Sequence, residues 1–380
     1  MKNIIPYGKQ WIDKKDIDEV VKVLKTDWIT QGPKVEEFEQ KVAEYSDSEY
    51  ATAVSSGTSA LQAAYWAAGI QAGDEIITTP LTFVATSSAL IFFGAKPAFV
   101  DIDSETLNID PGKIETKINS KTKAIATVDF AGYPCEYDKI LKIAKKYNLF
   151  VIEDAAHAIG SKYKNKQVGS FADMTIFSFH PVKTITTGEG GMVLTNNKEL
   201  DKKLKTFRQH GVVKKPEKGG WYYEIEKPGL NLRLTDFQCA LGISQMKKID
   251  KFIKRRKEII QKYNLKFSKI PELILHKIEQ HIDAVYHLYI IQLDLKKLKA
   301  DRKHIFEDFQ KQGLGVQVHY IPLHFQPYFQ KNFGYKKGDF PNTEKYYSRC
   351  ITLPLFPKMT DQEVNRVIKI VKKTIQTNKK

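Results

Sequence analysis

Lys183 lies in FSFHPVKTITTGEGG (177–191), after an apolar run and before a series of threonines and glycines. A lysine amine held in a low-dielectric pocket has a lowered pKa and can condense with an aldehyde. Asp154 closes a second apolar run, LFVIEDA (149–155), and His157 follows three residues later. A carboxylate there can cap the next helix or pair with a cationic ring nitrogen. His157 by itself reads as a structural histidine. Upstream, SSGTSA (55–60) is a Gly/Ser/Thr turn opening a helix. Its backbone N–H groups, hydroxyls and positive helix end suit a phosphate, although Ser and Thr are also ordinary helix caps. It is not a Walker loop, and no GxGxxG fingerprint occurs in the chain.

The elements that must position these residues follow from periodicity. ATAVSS (51–56), EIITTP (75–80), KPAFVDI (96–102), KAIATVDF (123–130) and LFVIEDA read as strands. Helical patterns separate them, from Thr58 to about Gly69, through Thr82–Phe93, and over about 136–147. Strands alternating with helices of this length predict a mostly parallel sheet covered on both faces. MTIFSF (174–179) and GGMVLTN (190–196) are strands joined by a turn-rich link, so the sheet can be mixed. Asp154 and Lys183 then sit at the ends of successive core strands, downstream of the phosphate-suited turn. An acid for a pyridine nitrogen, an aldehyde-binding lysine and a phosphate cup are together what pyridoxal phosphate requires.

The character changes after Leu234. Residues 235–264 read as one long helix, with Met246, Ile249, Phe252, Ile253, Ile260 and Tyr263 on one face. AVYHLYIIQL (284–293), GVQVHY (315–320) and CITLPLF (350–356) read as strands, among helices near 301–312 and 361–375. Thr360 and Glu363 form a capping box for the last helix. These patterns predict an N-terminal arm and large domain over 1–245 and a small α+β domain over 246–380. The segment before about residue 35 is expected to wrap across both.

At 380 residues and 42% hydrophobic content the chain can bury a large core and a smaller second one. No stretch approaches the roughly 20 apolar residues of a membrane span, and the first residues lack the apolar run of a signal peptide. Cys135, Cys239 and Cys350 are far apart and form no metal-binding spacing, which fits a reducing cytoplasm without a metal. The formal net charge is +16, with lysine pairs scattered over amphipathic helical segments. That pattern reads as a solvated lysine-rich surface rather than a contact for nucleic acid or membrane.

The chain resembles the sugar-nucleotide aminotransferases, a branch of the fold-type I pyridoxal phosphate enzymes. The resemblance runs from IPYGKQWID through SSGTSAL, TTPLTFVAT, VDFAGYP, EDAAHAIGS, FSFHPVKTITTGEGG and GLNLRLTDFQ to VHYIPLH, nearly the whole chain. It implies an α/β fold with a large, mostly parallel-sheet α/β/α domain and a smaller C-terminal α+β domain. It also implies pyridoxal 5′-phosphate as cofactor, a keto sugar linked to a nucleotide as substrate, and L-glutamate as amino donor. Lys183 would hold the cofactor and then move the proton, while Asp154 would keep the pyridine nitrogen protonated. His157, where many relatives carry glutamine, would lie near the phenolic oxygen, and Phe83 would stack on the ring. Gly57, Thr58 and Ser178 would hold the phosphate, with Asn231 from a second subunit, which requires a homodimer with shared active sites. For the substrate, the resemblance points to Tyr7 and Gly8, Trp28–Ile29–Thr30, Ser56, Arg233, and His319–Tyr320–Ile321–Pro322. Aromatic residues at such positions also serve as ordinary core packing.

Two other readings compete. Dehydrating relatives carry histidine in place of the Schiff-base lysine, so Lys183 argues against that branch. The run KKIDKFIKRRK (247–257) could serve a basic nucleic-acid-binding protein, but it fits an amphipathic helix with its charged face in solvent and has no recognition motif beside it.

Overall fold

The structure, a computed structural model, describes residues 4–277 and 279–380. Its centre is a seven-stranded sheet: β1 (Tyr50–Val54), β2 (Glu75–Thr78), β3 (Lys96–Phe99), β4 (Thr122–Val128), β5 (Phe150–Asp154), β6 (Met174–Ser178) and β7 (Gly191–Thr195). The spatial order is β1-β7-β6-β5-β4-β2-β3, and β7 alone runs against its neighbours. The mixed sheet expected from the short link between β6 and β7 is present. β4, β5 and β6 all deliver their carboxyl ends to one edge.

Alternation along β5 assigns its two faces. Ile152 packs with Leu61, Ala64 and Tyr65 of helix α3 (Gly57–Ala67). Val151 packs with Tyr137, Ile140 and Ala144 of a helix spanning Tyr137–Tyr147 on the other face. Helix α3 starts where Ser56 accepts the Ser59 N–H at 3.0 Å, and its alanine-rich body is buried almost throughout. The expected helix over Thr82–Phe93 is only α4 (Ala85–Ile91), because Thr82–Val84 turns into it at the sheet edge.

A second, antiparallel sheet is made of Leu273–Leu275, Tyr289–Leu293 and Cys350–Leu353. Its core includes Ile291, Leu293, Ile351 and Leu353, with Val364, Val367 and Val371 of the last helix, Asp361–Thr377. That helix begins with the expected capping box at Thr360 and Glu363. The strand expected over 315–320 does not form. Gln317 makes one bridge to Thr352, while the amide of Gly315 donates to the carbonyl of Ile5 at 2.7 Å. The N-terminal arm takes the backbone partners a continuous strand would need.

The single helix expected over 235–264 is two, Asp236–Met246 and Ile249–Phe267. Lys248 leaves the helical path and its amine reaches Asp16 at 2.6 Å and Asp13 at 3.0 Å on the arm. Apolar periodicity continues across the break, which is why the sequence conceals it. The basic run is also not uniformly solvated. Arg256 is 1% exposed, and Arg255 and Lys257 pair with Asp361 and Asp283. Among the described residues no helix is long and apolar enough to cross a membrane.

Candidate active site

The carboxyl ends of β5 and β6 open into a cleft of about 520 Å³. Its lining includes Tyr7, Ser56, Gly57, Thr58, Phe83, Asp154, His157, Ser178, Lys183, His319 and Tyr320, all singled out in the sequence. Residues from the arm, the first strand turn and the C-terminal part of the chain therefore meet at one place.

Asp154 is held from α4. The Thr86 hydroxyl donates to Oδ2 at 2.6 Å and is itself bonded to the Thr82 hydroxyl at 2.8 Å. The Ala156 amide donates to Oδ1 at 3.3 Å. Burial pushes the Asp154 carboxyl upward, against these bonds and the charge of Lys183. A cationic group facing it would favour the carboxylate. Sequence reading missed Thr82 and Thr86, although two threonines four residues apart in TTPLTFVAT (78–86), directly after a strand, were a usable signal.

Burial lowers the Lys183 amine to about 8, opposed by the charge of Asp154. Among the described residues its Nζ donates no hydrogen bond, so the amine is held in place without being engaged. Behind it stand three buried imidazoles. His157 contacts the Tyr320 hydroxyl at 3.3 Å through Nε2, and the ring of His287 lies 4.3 Å from its own. Burial drives His157 and His287 well below the usual histidine range, and His319 to about 4. All three are neutral at pH 7. His287 carried no signal in the sequence, being one histidine inside an apolar strand pattern.

The fit to a phosphate is visible at the start of α3. A Cβ on Gly57 would lie 3.0 Å from Cβ of Ser178, so only glycine lets the helix end reach the end of β6. A Cβ on Gly191 would lie 2.3 Å from the Ser56 carbonyl oxygen. Gly191, the last glycine of TTGEGG, thus lets the turn at Ser56–Gly57 lie against the sheet. Phe83 is 57% exposed on the cleft wall, its ring 5.9 Å from Tyr320, available to a flat ligand. The Tyr7 ring is 5.5 Å from His319. These groups fit pyridoxal phosphate: free N–H groups at a helix end, a carboxylate awaiting a cation, an amine and an aromatic wall.

Other residues singled out in the sequence do not line this cleft. Gly8 lies beside it, where an added Cβ would touch Val182 at 3.5 Å. Ile321 is 49% exposed, and Pro322 precedes the Leu323 amide, which bonds Pro80. Trp28 and Ile29 are exposed, Thr30 bridges to Thr235, and Asn231 bridges to Gln209. Arg233 lines a separate cavity with Gln31, Lys205 and Arg208. His180, for which sequence reading had no role, lines the main cleft.

An α/β fold with this cleft at the strand ends defines a pyridoxal phosphate-dependent transferase of fold type I. The model of the DegT/DnrJ/EryC1/StrS aminotransferase family matches residues 10–372, and the chain belongs to that family. It is 46% identical to the uncharacterized protein MJ1066 of Methanocaldococcus jannaschii, covering 99% of each chain. It is 43% identical to the spore coat polysaccharide biosynthesis protein SpsC of Bacillus subtilis, covering 98% of each. It is 42% identical to a UDP-4-amino-4,6-dideoxy-N-acetyl-beta-L-altrosamine transaminase of Campylobacter jejuni, over 98% of this chain and 96% of that one. Among solved structures it resembles Helicobacter pylori PseC, an aminotransferase of pseudoaminic acid biosynthesis, with a TM-score of 0.93, 36% identity, and coverage of 98% and 100%. It also resembles the PLP form of the putative sugar aminotransferase Spr1654 from Streptococcus pneumoniae, with a TM-score of 0.91, 31% identity, and coverage of 98% and 99%.

Proposed function

We propose that this enzyme transfers the amino group of L-glutamate to C4 of a UDP-linked 4-keto-6-deoxy-N-acetylhexosamine, giving UDP-4-amino-4,6-dideoxy-N-acetyl-β-L-altrosamine. The observation that carries the chemistry is the convergence on one cleft of Asp154 and of Lys183, whose amine burial lowers to about 8. The 42% identity to the Campylobacter transaminase supports the sugar. A cytoplasmic setting is part of the same reading.

When bound, the cofactor supplies an electron-accepting ring and a carbonyl carbon that carries nitrogen between the two substrates. Lys183 Nζ holds that carbon at rest. Once released, the same amine takes the proton from the α-carbon of glutamate and delivers one to C4 of the sugar. Asp154, as carboxylate, would face the ring nitrogen of the bound cofactor and stabilise positive charge there. His157, kept neutral by burial and held by the Tyr320 hydroxyl, would lie near the phenolic oxygen. The amides of Gly57 and Thr58, with the Ser178 hydroxyl, hold the phosphate. Tyr7, Phe83, His319 and Tyr320 wall off water on the side where the sugar enters.

Asn231, Arg233 and Trp28–Thr30 complete the site from a second copy in a homodimer. Mixing inactive K183A and N231A chains tests this, since each hybrid dimer keeps one intact site and regains activity. Mixtures that stay inactive would leave these residues without that role.

A second reading has its own support: SpsC is as similar as the Campylobacter enzyme and belongs to another polysaccharide pathway. One experiment separates them. The enzyme is incubated with glutamate and a panel of UDP-, dTDP- and GDP-linked keto sugars, and the product configuration at C4 is read by NMR. Amination of the UDP-linked N-acetyl sugar to the β-L-altro product is expected. Turnover confined to another sugar would move the assignment within the family.

A further inference from the structure

Behind the cleft, two carboxyl groups meet that no step of the reaction uses. Asp129 and Glu153 are each 0% exposed and line no part of the cleft. Asp129 Oδ1 accepts the Cys135 amide at 3.0 Å and the Tyr137 hydroxyl at 2.7 Å. Glu153 Oε2 accepts the Thr175 hydroxyl. The remaining oxygens, Asp129 Oδ2 and Glu153 Oε1, receive no well-formed N–H or O–H bond. The Tyr137 hydroxyl and the Gly169 amide also face Glu153 but leave Oε1 unsatisfied. The two carboxyls face each other at bonding range, and no cation among the described residues pairs with either. A bond between two carboxyls exists only if one of them carries a proton. Two ionised carboxylates side by side would both lose their water and repel each other, with nothing to offset either.

We propose that Asp129 and Glu153 share a single proton and act together as positioning residues for Asp154. Glu153 precedes Asp154 in β5 and points to the opposite face of the sheet. The Asp129 amide donates to the Asp154 carbonyl at 3.1 Å, and Val128 lies in register with Asp154. Thr175 stands opposite Glu153 on β6, the strand that ends at Ser178. The shared proton therefore staples the ends of β4, β5 and β6 from behind. Through Oδ1 it also pins the turn at 130–136. In that turn the Ala131 carbonyl accepts the amide of His287, the ring stacked on His157.

The electrostatics agree. Burial, then the charge of Glu153, pushes Asp129 well above the carboxylate range. Burial raises Glu153 as well, opposed by bonds from Thr175, Asp129 and Tyr137. Cys135 and Tyr137, the other titratable groups facing the pair, are themselves pushed up by burial and stay neutral. A folded-state pKa above the unfolded one means the staple holds at low pH and is lost as pH rises through the raised value.

The test uses the holoenzyme and no sugar, so it stands apart from the substrate assignment, and the family's cofactor serves as the reporter. At neutral pH the infrared spectrum should show the carbonyl band of a buried protonated carboxyl. E153Q and D129N should each remove it, because an amide N–H replaces the shared proton. Their cofactor absorbance should titrate with pH as in the parent. E153L, which has no donor for Asp129 Oδ2, should move that titration by about half a pH unit or more. A band surviving in both amide variants would overturn the shared proton. An unmoved titration in E153L would overturn the positioning role. If E153L does not fold, T175V removes only the donor on Oε2 and must itself shift the titration; no shift there overturns the role equally.

Discussion

Two buried cations show how differently this molecule treats the same kind of residue. Arg256, in the helix Ile249–Phe267, spends its Nη1 on the carbonyls of Tyr286, His287 and Leu355, at 3.4, 3.2 and 3.2 Å. Lys183, at the sheet edge, has no acceptor among the described residues and is lowered to about 8. Both lost water on folding. The guanidinium recovers part of its hydrogen bonding from backbone carbonyls through Nη1, its Nε staying unpartnered, and becomes a fastener between helix and loops. The amine recovers none among the described residues and loses its proton more easily than an ordinary lysine, as the proposed nucleophile and base must. Burial alone does not mark a functional cation; burial at the wall of a cleft, with the charged end engaged by no acceptor, does.

The largest expected break in this contrast is K183A. Turnover should fall by about 10³-fold or more, and borohydride should no longer attach the cofactor to the chain, as read by mass spectrometry. D154N should follow, with turnover lower by about 10²–10³-fold and an unchanged circular dichroism spectrum. A near-parental rate would remove Asp154 from its role. R256M acts on the other member of the pair. Three carbonyls lose their donor, and unfolding in urea should show a loss of about 2–3 kcal/mol, with turnover per folded molecule far less affected than in K183A. The smallest effect concerns pH. A lysine with a lowered pKa gains free amine as pH rises, so cofactor-free enzyme should reload faster through about pH 8 and then level off. Reloading that is flat between pH 7 and 9 would mean that Lys183 is not held as described.

Much of the site was legible because its residues are local to strand ends. SSGTSA, EDAAH and FSFHPVK each announce a strand followed by a turn, and parallel strands bring such turns to one edge. What escaped reading depended on distant segments. The break at Lys248 follows from Asp13 and Asp16, more than 230 residues away in the chain. The missing strand at 315–320 follows from Ile5 taking its backbone partners. His287 and Thr86 are ordinary until the fold sets them against His157 and Asp154. Trp28–Thr30, Asn231 and Arg233 carried meaning only through the family resemblance, and within one chain they stand apart from the cleft.

From sequence alone came the alternation of strands and helices, the order of the chemical groups along it, and the family they belong to. These depend on local periodicity and on short motifs, whose physics acts over a few residues. Only the tertiary structure decided which charges are spent. Whether Lys183 keeps a free amine, Arg256 is tied to carbonyls, or Asp129 and Glu153 hold one proton depends on donors and acceptors brought from remote segments and on the water excluded between them.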